Sequence, residues 1–279
     1  MHAIPGDPFI GDKILPPEVS RTLFIYYGLD QPLWKQYIQF LNHLIHFDLG
    51  TSISYPGRKV GQFIADGLPV SALLGIQALT ISIPLGVFLG TWSAIKRGHI
   101  QDLFAMLFPI LLISLPNFVT ASLLQYIFSV KFHLLPVARW GTFAHTILPT
   151  LSLSAMPTAV IARFIRTNMI EALAQDYIRT ALAKGIPLFK VALKHALRNA
   201  IIPTISYLGP VISSILTGSF MIEKIFAIPG LGGWMIHSIY MRDYPLILGL
   251  TVFYCTFLML MVFIVDLIYL WIDPRISYE

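Results

Sequence analysis

The sequence predicts an all-α membrane protein, a polytopic helical bundle with five visible transmembrane helices and one charged helical insert. Three observations carry this. Apolar residues make up 56% of the 279-residue chain. Charged residues make up only 12%, where soluble domains carry about 25%. Asp, Glu, Lys and Arg are absent, or nearly so, from five windows that approach or exceed the roughly 20 residues needed to cross a bilayer as a helix. Inside hydrocarbon each backbone N–H and C=O must be satisfied within the protein, which a helix achieves. The net charge of +5 does not indicate nucleic acid, because the basic residues gather at the ends of apolar windows, as membrane topology requires. The single cysteine, Cys255, has no partner, so neither a disulfide framework nor a cysteine metal site is expected.

Residues 1–66 form an extracytoplasmic segment. Within it, Leu33 to Phe47 places Leu33, Trp34, Tyr37, Phe40, Leu41 and Leu44 at helical spacing. This is an amphipathic helix, lying on the membrane surface or on the other helices. Tyr26, Tyr27 and Trp34 suit an interfacial aromatic belt. Residues 67–279 form the transmembrane domain. Its spans are expected at about 68–95, 103–130, 146–162, 200–222 and 246–272, the last interrupted only by Asp266. Pro84, Pro109, Pro116 and Pro157 fall inside the windows and are expected to kink packed helices. Asp266 suits a helix-packing or interface role, although an acid within the membrane can also mark an ion pathway.

The insert occupies about 163–199, between the third and fourth spans. Asp176 to Ala183 is built from good helix formers. Gly185 then stops the helix, because glycine enters the left-handed region without strain. Pro187 fits the first turn of a second helix running from Leu188 into the fourth span. Lys96 and Arg97, together with Arg163, Arg166 and the basic insert, place these links in the cytoplasm. Arg163 and Arg166, three residues apart on one helix, anchor that end. Glu223 and Asp243 offset Lys224 and Arg242 in the outer link. The C-terminal DPRISYE is then cytoplasmic, and residues 1–66 lie outside. Those residues contain no signal peptide and no spanning run. Either a leading transmembrane helix precedes Met1 in a longer reading frame, or the first span itself translocates this segment.

No GxxxxGK[ST], HExxH or GxSxG occurs in the chain. The PGLGG run at Pro229 to Gly233 lacks the Lys-Ser/Thr ending of a phosphate loop and suits a turn. The chain is therefore expected to be no enzyme, with no catalytic residues and no metal.

DYIRTALAKG and HALRNAIIP resemble the coupling loop of ABC importer permeases. Gly185 takes the glycine position of the general EAA-xxx-G pattern, while Arg179-Thr180-Ala181 replaces EAA and His195-Ala196-Leu197-Arg198 replaces the later I-x-L-P. The loop is similar to that of the oligopeptide, dipeptide and nickel branch. FDLGTS, LPVSALLGIQALTISIPLGVFLG, ILPTLSLSAMPTAVIARFIRTNMIEAL, IEKIFAIPGLGGWMIHSIYMRDYP and DLIYLWIDPRISYE extend the likeness over nearly the whole chain. PGDP at Pro5 to Pro8 follows a first transmembrane helix in that family, so six spans are expected there. The resemblance implies a multi-pass permease of the bacterial inner membrane that carries peptides. It implies a second permease, homologous or identical, two cytoplasmic ATP-binding subunits and an extracytoplasmic solute-binding protein as partners. ATP would be bound by those subunits, leaving this chain without a cofactor. The cytoplasmic coupling helix would meet an ATPase through Asp176, Tyr177, Arg179, Thr180, Ala181, Lys184 and Gly185. Nickel or another small solute stays open as the cargo, and an ion-coupled secondary transporter or a membrane scaffold as a different class.

Overall fold

The computed structural model describes residues 17–272. The PGDP run, the DPRISYE tail and the cytoplasmic placement expected of that tail lie outside the described residues. In chain order the helices are α1 (Pro17–Tyr26), α2 (Leu33–Ile45), α3 (Val60–Ile95), α4 (Ile100–Ser114), α5 (Asn117–Leu124), α6 (Phe143–Leu173), α7 (Asp176–Ala183), α8 (Leu188–Val191), α9 (Leu197–Leu216), α10 (Phe220–Ile225), α11 (Leu231–Tyr240) and α12 (Tyr244–Ile272). A π-helical segment at Gln125–Lys131 continues α5, and another at Ala192–Ala196 joins α8 to α9. Among the described residues the only β pairing is one isolated bridge between Thr51 and Lys59.

The centre of the bundle is the parallel pair α3 and α6. Thr150 Oγ1 donates to Gln77 Oε1 at 2.9 Å. Further along, a Cβ added to Gly86 would meet Ile161 Cβ at 2.8 Å, and one added to Gly90 would meet the Ala162 carbonyl at 2.5 Å. Lipid tails are as apolar as leucine, so burial alone does not pull such helices together. Close approach over small residues does, by dispersion between backbones. Against this pair pack α4 and α9, and α12 packs mainly on α9 and also touches α3.

Among the described residues, four stretches are long and apolar enough to cross a membrane: Val60–Ile95, Phe143–Leu173, Tyr207–Ile225 and Tyr244–Trp271. They contain or overlap four of the five expected windows. The window at 103–130 is not one helix. It divides into α4, α5 and the π-helical segment, with Leu115 extended at ψ 129° and Pro116 at ψ 139°. The ring of Pro116 disfavours the helical region for Leu115. Pro84, Pro109 and Pro157 stay inside α3, α4 and α6. The window at 200–222 is also broken: α9 stops at Leu216, and α10 starts at Phe220.

Two ends can be distinguished. The insert end carries the links after α3 and α6. The opposite end carries α1, α2, α10 and α11. No residue of α2 is buried, and Leu33, Trp34, Tyr37 and Ile45 are exposed. Phe40 and Leu44 on the same helix are half-buried. Beyond it, Asp48 accepts a hydrogen bond from the Gly50 N–H at 3.0 Å, which holds its carboxyl below the usual carboxylate range.

Candidate functional site

The insert folds as a helix, a glycine turn and a second helix. Ile178 of α7 and Val191 of α8 are buried in a cluster with Ile165, Met169 and Ala196. Ala181 and Ile186 pack partly against the same cluster. These apolar contacts seat the insert on the ends of α6 and α9. Gly185 has φ +79°, and a Cβ there would meet nothing within 4 Å. Its requirement is conformational, since other residues pay for a left-handed backbone. Pro187 stands one residue before α8, as its N-cap.

Seated this way, α7 turns one face outward. Asp176, Tyr177, Arg179, Thr180, Lys184 and Gly185 are all exposed, and Ala181 is half-buried. Arg179 Nη1 lies 3.4 Å from Asp176 Oδ1. An exposed pair of this kind contributes at most about 1 kcal/mol, so both charges stay available. Tyr177 is held in place: Asn199 Nδ2 donates to its hydroxyl at 2.9 Å, tying α7 to the start of α9. Thr180 Oγ1 donates to the Asp176 carbonyl at 3.0 Å. Ile178 and Asn199 escaped the sequence reading. Ile178 carried a signal, being apolar among charged and small neighbours at helical spacing from Ala181 and Leu182.

Arg163 and Arg166 do not share an environment. Arg163 is exposed. Arg166 forms an ion pair with Asp102, Nη2 to Oδ2 at 2.8 Å and Nε to Oδ1 at 2.9 Å. Its Nε also reaches Ser93 Oγ at 2.9 Å, and the Ser93 hydroxyl donates to Asp102. The Gly98 N–H donates to Asp102 Oδ2 at 3.2 Å. Three helices, α3, α4 and α6, are thus clamped beside the insert. The pair is mostly withdrawn from water, with the Asp102 side chain 10% exposed and Arg166 29%. Removing one partner strands the other charge. Asp102→Ala is expected to cost about 2 kcal/mol, the buried-pair value discounted for the exposure of Arg166. Thermal melting of the purified protein checks this, with Asp102→Ala/Arg166→Met recovering most of the loss. A double variant as unstable as the single one would refute the clamp.

At the opposite end, Glu223 and Asp243 turn inward. Glu223 is 2% exposed and Asp243 is fully buried. Glu223 accepts from Ser71 Oγ at 2.7 Å and from the Gly233 N–H at 3.0 Å. The PGLGG run therefore cradles the chain's own Glu223 carboxyl group at the start of α11. A Cβ on Gly230 would come within 2.5 Å of both carboxylate oxygens. Asp243 accepts from the Ser52 hydroxyl, from the Ser54 N–H at 3.0 Å and from the Leu246 N–H at 3.2 Å. Asp266, by contrast, is half-buried on α12.

A bundle of long apolar helices that carries a seated helix–turn–helix at one end defines a membrane-embedded transport permease with several spans. Residues 82–278 match the family described as binding-protein-dependent transport system inner membrane component, and the chain belongs to that family. It is 49% identical to the dipeptide transport system permease protein DppB of Bacillus subtilis (strain 168), over 99% of this chain and 90% of that protein. It is 40% identical to the oligopeptide transport system permease protein OppB of Escherichia coli (strain K12), over 100% of this chain and 92% of that protein. Two solved structures share the fold. One is an amino acid ABC transporter crystallised with histidines, at TM-score 0.57 and 18% identity, over 75% of this chain and 94% of that one. The other is the MetNI methionine ABC transporter in inward-facing form, at TM-score 0.56 and 16% identity, over the same shares.

Proposed function

We propose that this chain is the pathway-forming permease of an ATP-driven peptide importer, coupled to its motor through α7. The observation that carries this is the insert: a short helix seated by Ile178, turned by Gly185 and presenting Asp176, Tyr177, Arg179, Thr180 and Lys184 outward. A lever needs such a build. One side must be fixed to the spans, so that displacement of α7 moves α6 and α9. The other side must be polar and accessible. Ala181, half-buried, belongs to the seat as well as the contact face. The names of the DppB and OppB relatives support dipeptides or oligopeptides as cargo, with nickel or another small solute as the second possibility.

The partners are then two cytoplasmic ATP-binding subunits, a second permease and an extracytoplasmic solute-binding protein. ATP is hydrolysed on the partners, and this chain is neither an enzyme nor a cofactor carrier. The insert end and the C-terminus face the cytoplasm of a bacterial inner membrane, as the basic links support. Gly185→Val tests the lever. Valine at φ +79° costs about 1 kcal/mol or more, and no neighbour obstructs it. Uptake of a labelled dipeptide and stimulated ATP hydrolysis by the assembled transporter are expected to fall together, while membrane insertion persists. Normal coupling in that variant would exclude α7 as the transmitter. Uptake that follows an ion gradient and ignores ATP would instead indicate a secondary transporter.

A further inference from the structure

A groove of about 440 Å³ opens between α3 and the limb that follows Gly185, within the roughly 300–1,000 Å³ range of small-molecule sites. Its walls are Val87, Phe88, Trp92 and Ile95 of α3, and Phe189 and Leu193 opposite. One polar group interrupts this apolar lining. Thr91 is 5% exposed, and its hydroxyl is buried without a hydrogen-bond partner. Above it the rim is basic. Lys96 Nζ stands 6.0 Å from the centre of the Trp92 ring. Arg97, Lys190 and Lys194 are exposed at the same end. None of these four is in an ion pair among the described residues.

We propose that this groove holds an anionic glycerophospholipid. The order of chemistry along α3 matches such a molecule from end to end. Cationic side chains at the insert end suit the phosphate. Thr91 lies five residues deeper, about 7.5 Å along a helix, at the level of the ester carbonyls. Pro84, another seven residues and about 10 Å further, closes an apolar trough for the acyl chain. Trp92 sits at the boundary, where tryptophan is enriched in membrane proteins. A polypeptide occupant would not require the basic rim.

Trp92 provides the assay. The assembled transporter is reconstituted in phosphatidylcholine vesicles doped with phosphatidylglycerol brominated on its acyl chains, and the Trp92 signal is taken as the difference between wild type and Trp92→Phe. Brominated phosphatidylglycerol is expected to quench that component several-fold more than brominated phosphatidylcholine at the same mole fraction. Lys96→Gln should abolish the headgroup preference, with the other tryptophans and the helix content unchanged. Equal quenching by both lipids in all variants would reduce the groove to ordinary boundary lipid and overturn the proposal. Protection of Trp92 from both lipids would overturn it too, since a protein segment would then fill the groove.

Discussion

Glu223→Ala is expected to lower the melting temperature of the purified protein by about 10 °C, the equivalent of about 3–5 kcal/mol in a chain of this size. The physical reason is what the carboxylate leaves behind. Ser71 Oγ donates to it at 2.7 Å while accepting from the Leu231 N–H at 2.9 Å. Gly233 N–H donates to its other oxygen at 3.0 Å. With alanine, a backbone donor at the start of α11 and a serine hydroxyl on α3 lose their acceptor in a buried site. Each such loss costs about 1–3 kcal/mol. Glu223→Gln keeps the shape and one acceptor oxygen, so it should fall between wild type and alanine. Peptide uptake should decline in the same order, because α10 and α11 would no longer be pinned to α3. An alanine variant that melts with the wild type would show that the carboxylate pins nothing.

The second large effect is expected at the α3–α6 seam. In Gly90→Leu the new Cβ alone would lie 2.5 Å from the Ala162 carbonyl and 2.8 Å from Ile165 Cβ. A backbone carbonyl cannot rotate away as a side-chain tip can, so the two helices must separate. Overpacking costs about 1–3 kcal/mol, and more where backbone has to move. Separation also forfeits dispersion contacts along the seam, which in lipid are the main force holding it. Little monodisperse protein should be recovered by size exclusion in mild detergent. Gly61→Leu is the control on the same helix, since a Cβ there meets nothing within 4 Å. Equal recovery of the two variants would show that the seam tolerates separation.

The spans and the insert were legible because hydropathy, length and glycine–proline punctuation are local properties. The helix expected from Asp176 to Ala183 and the turn at Gly185 were read from adjacent residues, and the structure has both. The break before Pro116 was only half legible. Pro84 and Pro116 give the same local signal, yet α3 continues through Pro84 while the chain becomes extended at Leu115 and Pro116. The long, tightly packed α3–α6 seam accompanies the unbroken proline; the α4–α5 junction, with exposed residues on both sides, lacks that support.

The burial of the acids was not legible for a different reason. Glu223 and Asp243 sit beside Lys224 and Arg242, so the sequence shows them only as charges that offset their neighbours. Their real partners are Ser71, 152 residues away, and Ser52, 191 residues away. Asp102 and Arg166 likewise meet across 64 residues. Membership in a helical permease follows from composition, apolar windows and one loop pattern, since the bilayer imposes its length and polarity on every span separately. The choice of buried acids and the two glycines that must stay bare at the α3–α6 seam follow from which helices touch. Contact between distant segments is a property of packing, and local periodicity carries no record of it.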